Sequence, residues 1–202
     1  MPELITPLWL LGLVGMGAYL LGSVPFGIVV ARVMGLGDLR KIGSGNIGAT
    51  NVMRTGNKRA GQLTFLLDAG KGAVAALLAW WLIGEDAAQV AALAAFLGHL
   101  YPVFLGFQGG KGVATFIGTA LALAWPVGLG ICALWVAVFK LARISSLAAL
   151  VASALSPLLA WGFGYASMIA LFIILAAMIL YKHGDNIRRL ISGTEPRFDR
   201  KG

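Results

Sequence analysis

The residues best suited to chemistry in this chain are Gly43-Ser44-Gly45-Asn46-Ile47-Gly48-Ala49-Thr50-Asn51. Glycines at this density relieve the steric limits on φ and let a backbone approach a ligand closely. Successive N–H groups in such a loop can form a concave anion nest. Ser44, Asn46, Thr50 and Asn51 add short hydrogen-bonding side chains, and a short helix can begin between Ile47 and Arg54. Its first N–H groups would point into the loop and favour phosphate or carboxylate. A glycine-rich turn with an Asn cap is the competing reading of the same residues.

Other candidate groups lie further along. Phe107-Gln108-Gly109-Gly110-Lys111-Gly112 is a second glycine-rich break, and it holds Lys111 where bulky neighbours cannot block approach. His183 and Asn186 are one helical turn apart and can share a face, with Arg188 and Arg189 just beyond. Arg54 follows the first loop; for Lys58, Arg59 and Arg197 a solvated charge is the simpler reading. Asp68 and Lys71 stand at i, i+3 in an apolar helix, where charges are costly, so they are expected to pair and to support the Gly43 loop from below. His99 reads as structural, or as support for Lys111. Ser23, in Gly22-Ser23-Val24-Pro25-Phe26-Gly27, faces either a neighbouring helix or a polar cavity, while Gly22 and Gly27 read first as helix-packing positions.

Spacing excludes several chemistries. Lys111 is not a phosphate-loop lysine of the G-x-x-x-x-G-K-[ST] type, because Leu105 stands at the first glycine position and Gly112 replaces the hydroxyl residue. Nothing matches G-x-S-x-G or H-E-x-x-H. Neither histidine begins a His-x4-Asp pair: the fifth residue after His99 is Phe104, and after His183 it is Arg188. No acidic cluster points to a metal, and no cofactor is called for. The remaining toolkit is backbone N–H, hydroxyl, amide and cationic groups. It suits anionic substrates and transition states stabilised by positive charge.

Elements that hold such groups must be membrane helices. Hydrophobic residues make up 59% of the chain and charged residues 12%, against about 25% charged in an ordinary soluble domain. Mean hydropathy is +0.86. The formal charge of +8 reflects basic residues flanking apolar spans, not a nucleic-acid surface. Cys132 is alone inside an apolar segment, which implies no disulfide framework. A cleaved signal peptide is not expected, since Glu3 occupies the n-region and the first apolar stretch is too long.

Apolar spans are expected over Leu8–Val33 (kinked at Pro25), Gly61–Ile83, Ala87–Leu105, Ile144–Trp161 and Tyr165–Tyr181. A tight turn with Glu85 and Asp86 joins the second and third. Val113–Phe139 is split by Trp125-Pro126, and charge decides how. With the N-terminus outside and the stretch folded as two helices of about a dozen residues, Lys111, Lys140, Arg143 and the basic tail all fall inside. The expectation is therefore a single all-α membrane domain over 1–202, with seven transmembrane helices, a periplasmic N-terminus and a cytoplasmic C-terminus. The Gly43 loop, the Lys111 loop and the Lys182–Arg189 segment then share the cytoplasmic face.

Gly43 to Arg54, the Gly22–Gly27 break, Asp68-Ala69-Gly70-Lys71-Gly72, Gly98 to Phe104, Gly109 to Thr115 and Tyr181 to Ile187 together resemble the bacterial acyl-phosphate-dependent glycerol-3-phosphate acyltransferases, the PlsY type. The resemblance runs from about Leu21 to Ile191, and Gly184 departs from the larger polar residue of that pattern. It implies a multi-pass enzyme of the bacterial inner membrane. Such an enzyme moves a fatty acyl group from acyl phosphate to the 1-hydroxyl of sn-glycerol 3-phosphate, giving lysophosphatidate and phosphate. It also implies contact with the soluble enzyme that makes acyl phosphate. By resemblance, Gly43, Ser44, Gly45 and Asn46 hold the acyl phosphate, with Thr50 and Asn51 in support. Arg54, Gly110, Lys111, His183 and Asn186 hold substrate phosphate and glycerol, and Ser23 borders the same pocket. Catalytic roles fall to Ser44, Asn46, Lys111 and His183, with the donor phosphate or His183 as the base. A transporter or channel for a phosphorylated solute is the alternative. It is disfavoured because the second half shows no repeat of the first.

Overall fold

Pro25 lacks a backbone donor and disfavours a helical residue before it, and the first apolar stretch breaks there into α1 (Leu8–Gly22) and α2 (Phe26–Val33). The structure, a computed structural model, describes residues Pro2–Phe198. The described residues form helices joined by turns and by two longer loops, 34–48 and 101–112, without strands: α3 (Ala49–Met53), α4 (Lys58–Leu82), α5 (Glu85–Leu100), α6 (Val113–Leu123), α7 (Trp125–Ala142), α8 (Ser145–Gly162), α9 (Ile169–Lys182) and α10 (Gly184–Ile191). They fall into two compact units, Pro2–Leu123 and the chain from Ala124 onward.

In the first unit α1 packs on α5, and α4 packs on α5 and α6. These crossings are close because the contact residues are small. A Cβ added at Gly22 would lie 2.1 Å from the Ala95 carbonyl oxygen, one at Gly98 2.2 Å from that of Tyr19, and one at Gly118 2.0 Å from that of Ala69. Backbone meets backbone at all three. Gly70 faces open space in the same α4 helix. Gly70→Ala is therefore expected to raise thermal stability by about 0.5–1 kcal/mol, the usual gain for a helix interior. Gly22→Ala is expected to lower it by more than that. Equal melting temperatures for the two variants in detergent would refute the backbone-contact account.

Two breaks differ from expectation. Glu85 and Asp86 lie in the first turn of α5, not in the preceding turn; Ile83 and Gly84, the latter at φ 149°, make the reversal. Acidic residues complement the partial positive charge of a helix N-terminus. Asp86 also accepts hydrogen bonds from Ile5 N at 3.1 Å, Thr6 N at 2.8 Å and Thr6 Oγ1 at 2.9 Å, which pins the N-terminal segment to α5. The second difference is α7. The split at Trp125-Pro126 is present, with Pro126 in the first turn where a missing donor costs nothing. But α7 runs 18 residues, to Ala142, longer than the dozen expected. Lys140 is exposed at the helix end, so its charge did not mark a boundary. The helix stops at Arg143, in the left-handed region at φ 58°.

In the second unit α8 packs on α7 and α9. Pro157 lies inside α8 and leaves the Ser153 carbonyl without its helical donor. The Ser156 hydroxyl donates to that oxygen at 2.7 Å, a repair suited to a segment without water.

Among the described residues, five helices are long and apolar enough to cross a membrane: Leu8–Val33 taken through its break, α4, Glu85–Leu105, α7 and α8. The α9–α10 pair, bent by 64°, makes a sixth if taken as one span, and α6 is a shorter apolar helix.

Candidate active site

Polar residues of the first loop fold onto one buried amide. Asn51 is 1% exposed. Its Oδ1 accepts from Ser44 N at 3.0 Å and lies 3.4 Å from Ser44 Oγ, while its Nδ2 donates to the Leu39 carbonyl at 3.0 Å. Both ends of the carboxamide are thus used to clamp the loop. Gly43 and Gly45 have φ of 53° and 70°, which only glycine adopts without strain. A methyl at Gly43 would also lie 2.5 Å from Asn51 Oδ1 and 2.8 Å from Arg54 Cδ. Arg54 therefore lies over the loop, at the end of α3. Val30, Ala31, Leu39, Val52 and Ala60 form a buried apolar cluster, and through Leu39 and Val52 it holds the residues on either side of the loop.

Two features of this loop narrow the set of N–H groups that an anion nest could use. Ser44 N bonds Asn51, and Gly45 N donates to the Ile42 carbonyl at 2.9 Å, so both N–H groups are turned inward. The helix that follows has only five residues and adds little dipole. Ser44 is exposed, and Asn46 folds back over Gly48, where a methyl would lie 3.4 Å from Nδ2.

The Lys111 loop is held by the end of α5. Gly109 N donates to the Leu100 carbonyl at 3.2 Å and Gly110 N to that of His99 at 3.1 Å, which satisfies carbonyls left over at the helix C-terminus. Its glycines are demanded by contact: a Cβ at Gly110 would lie 2.2 Å from His99 Nε2, and one at Gly112 2.3 Å from the Phe96 ring. Lys111 is half-buried. Ser23 is fully buried and its Oγ has no protein hydrogen-bond partner. Asp68 and Lys71 pair as expected, at 2.9 Å. The pair reaches the Pro25 break and His99 rather than the Gly43 loop.

In the second unit His183 is the hinge between α9 and α10. Its Nδ1 lies 2.8 Å from the Ile179 carbonyl. A carbonyl only accepts, so Nδ1 carries a proton and the neutral ring has its lone pair at Nε2. Asn186, 6% exposed, donates to Glu195 Oε1 at 2.5 Å. Ser146 Oγ donates to the same oxygen at 2.6 Å, and Arg189 Nε to Oε2 at 2.7 Å. Arg188 instead pairs with the exposed Asp185.

A model of the family described as glycerol-3-phosphate acyltransferase matches residues 12–193. The chain belongs to the glycerol-3-phosphate acyltransferase family. A relative from Jannaschia sp. with that name is 62% identical over 196 residues, 97% of each chain. One from Dinoroseobacter shibae is 58% identical over 201 residues, 100% of this chain and 99% of its own. Two crystal structures of PlsY, an integral membrane glycerol 3-phosphate acyltransferase, share the fold. Its glycerol 3-phosphate form has 43% identity and a TM-score of 0.89, covering 94% of this chain and 96% of that one. Its lysophosphatidic acid form has 40% identity and a TM-score of 0.86, with coverage of 94% and 95%.

Within this acyltransferase, Gly43, Ser44, Gly45, Asn46, Thr50, Asn51 and Arg54 form one loop-and-turn assembly. Gly110 and Lys111 form a second, in the same unit. Ser23 is sealed in the interior behind the Pro25 break. Glu195 and Ser146 escaped the sequence reading. The only signal was an acid set in a basic tail. Burial pushes the Glu195 carboxyl up, but hydrogen bonds from Ser146, Asn186 and Arg189, with the Arg189 charge, bring it below the usual range. The contribution of Glu195 to stability is therefore present above the ordinary carboxylate range and lost as pH falls through the lowered value.

Proposed function

We propose that this protein transfers a fatty acyl group from acyl phosphate to the 1-hydroxyl of sn-glycerol 3-phosphate, as one acyltransferase domain of the bacterial inner membrane. Products are 1-acyl-sn-glycerol 3-phosphate and inorganic phosphate. The observation that carries the reading is the pair of PlsY structures: their ligands, glycerol 3-phosphate and lysophosphatidic acid, are the acceptor and product of this reaction. The family match over residues 12–193 spans both units, which supports a single functional domain.

In the proposed mechanism the Gly43–Asn46 loop takes the acyl phosphate, with the Ser44 hydroxyl and Asn46 amide as donors. Thr50 and Asn51 support it, Asn51 acting through Ser44. Arg54 and Lys111, with Gly110 allowing close approach, neutralise substrate phosphate. His183 and Asn186 hold the glycerol. The acceptor hydroxyl oxygen attacks the acyl carbonyl carbon, the bond from that carbon to the phosphate oxygen breaks, and the departing phosphate takes the hydroxyl proton. Positive charge and donors stabilise the developing oxyanion and the leaving phosphate.

Purified protein in liposomes should convert acyl phosphate and glycerol 3-phosphate into lysophosphatidate and phosphate in equal amounts. Acyl-CoA or acyl carrier protein as sole donor should give no product; turnover with either would overturn the donor assignment. Binding of the soluble acyl-phosphate-producing enzyme to these liposomes would test the partner.

The proposed topology has seven spans, with α6 and α9 crossing as well, the N-terminus outside and the C-terminus inside. Its support is the placement of basic residues. Single cysteines at Lys140 and Arg197, in a Cys132→Ser background, should react only with reagent on the cytoplasmic side. Cysteines at Glu3 and Gly164 should react from outside. The reverse pattern at Lys140 would remove α6 as a span.

A further inference from the structure

Lys71, Asp68 and His99 form a cluster of ionisable side chains buried behind the Lys111 loop in the first unit, with 1%, 3% and 4% of their side-chain surfaces exposed. Lys71 Nζ lies 2.9 Å from Asp68 Oδ1, and His99 Nδ1 lies 3.5 Å from the same oxygen. Each end of the cluster then touches backbone. Lys71 Nζ donates to the Val24 carbonyl at 2.9 Å, beside Pro25. At the other end the His99 ring edge rests on Gly110, where a methyl would lie 2.2 Å from Nε2, and the His99 carbonyl accepts from Gly110 N at 3.1 Å. A third tie joins α4 to the first turn after Lys111: Thr115 Oγ1 donates to the Asp68 carbonyl at 2.9 Å.

We propose that Asp68, Lys71 and His99 are positioning residues: a buried charge cluster that fixes the Lys111 loop and the Pro25 break against one another and so sets the affinity for glycerol 3-phosphate. Stability alone is a poor reason for such a cluster. Apolar residues of similar volume often replace a buried ion pair without loss, whereas a charge left single is strongly destabilising. What apolar residues cannot supply is a directed bond to the carbonyl at a helix break, or a ring whose orientation is set by a carboxylate on one side while its edge bears on Gly110. The glycine at 110 lets the ring come this close, so the loop backbone takes its height from His99. A lysine held between glycines depends on such a fixed support for its ammonium to meet a phosphate.

This inference rests on the reading of Lys111 as a ligand of substrate phosphate. The decisive variant is Asp68→Asn/Lys71→Met, which removes both charges and keeps the shapes. It should melt cooperatively near the parent temperature. KM for glycerol 3-phosphate should rise about tenfold or more while kcat changes little, the pattern of lost binding. Amide hydrogen exchange of the 106–114 segment should accelerate. His99→Asn, which keeps an N–H toward Asp68 but is too short to reach Gly110, should show the same two changes. It decides the matter if the double variant does not fold. Parent KM and parent exchange in a folded variant would overturn the proposal. Lys111→Ala is run in parallel. Parent activity there would refute the reading of Lys111 itself, and the exchange data would still report whether the cluster holds the loop.

Discussion

Lys111→Ala is expected to lower kcat/KM by about tenfold to more than a hundredfold while the protein still inserts and purifies. Both proposed substrates carry phosphate, and Lys111 is borne by a loop whose neighbours at 110 and 112 are glycines packed on α5. A charge-assisted hydrogen bond is worth about 1.5–3 kcal/mol, and each ~1.4 kcal/mol is tenfold in rate. The loop owes its fold to the N–H groups of Gly109 and Gly110 and to the His99 ring, so removing the ammonium leaves the scaffold intact. Steady-state kinetics against both substrates, with a melting curve to certify folding, make the measurement. Near-parent kcat/KM would eliminate the role.

His183→Gln is the second large effect, and its form separates two mechanisms. Nδ1 of His183 is committed to the Ile179 carbonyl at 2.8 Å, which orients the ring. If the donor phosphate accepts the hydroxyl proton, His183 serves to hold the acceptor. Gln then keeps a hydrogen-bonding group, and KM rises about tenfold with a smaller fall in kcat. The phosphate is favoured as base because its oxygens lie beside the carbonyl under attack. If His183 were the base, kcat would fall by about 10²–10⁴-fold with binding preserved. A loss of that kind would transfer the proton to His183.

The breaks in the chain were legible because their causes are local. Pro25 and Gly162–Gly164 mark helix ends, and Pro126 marks a helix start, through local backbone preferences. The Asp68–Lys71 pair was legible for the same reason, being one helical turn long. Charge used as a boundary marker misled twice. Lys140 continues α7 because an exposed helix end tolerates it, and Glu85 with Asp86 belongs to a helix start, where acids are favoured. Asn51 read as support for the loop by type alone; its burial and its bond to Leu39, twelve residues back, are tertiary facts. Glu195 gathers Ser146, Asn186 and Arg189, and no spacing rule spans 49 residues from Ser146. The direction of the Ser44 and Gly45 N–H groups was equally hidden, since glycine permits either orientation.

At Gly22, Gly27, Gly98, Gly109 and Gly118 the atom nearest an added Cβ is a backbone oxygen, 1.8–2.2 Å away. Every other amino acid carries that carbon, so no missense change at these codons is conservative. In a random-mutagenesis screen for growth, these positions should yield inactivating alleles for every replacement that a single base change can produce. Ser44 or Asn46 should yield a narrower set. An unbiased genetic map of this gene would then draw the close backbone contacts before it drew the chemistry.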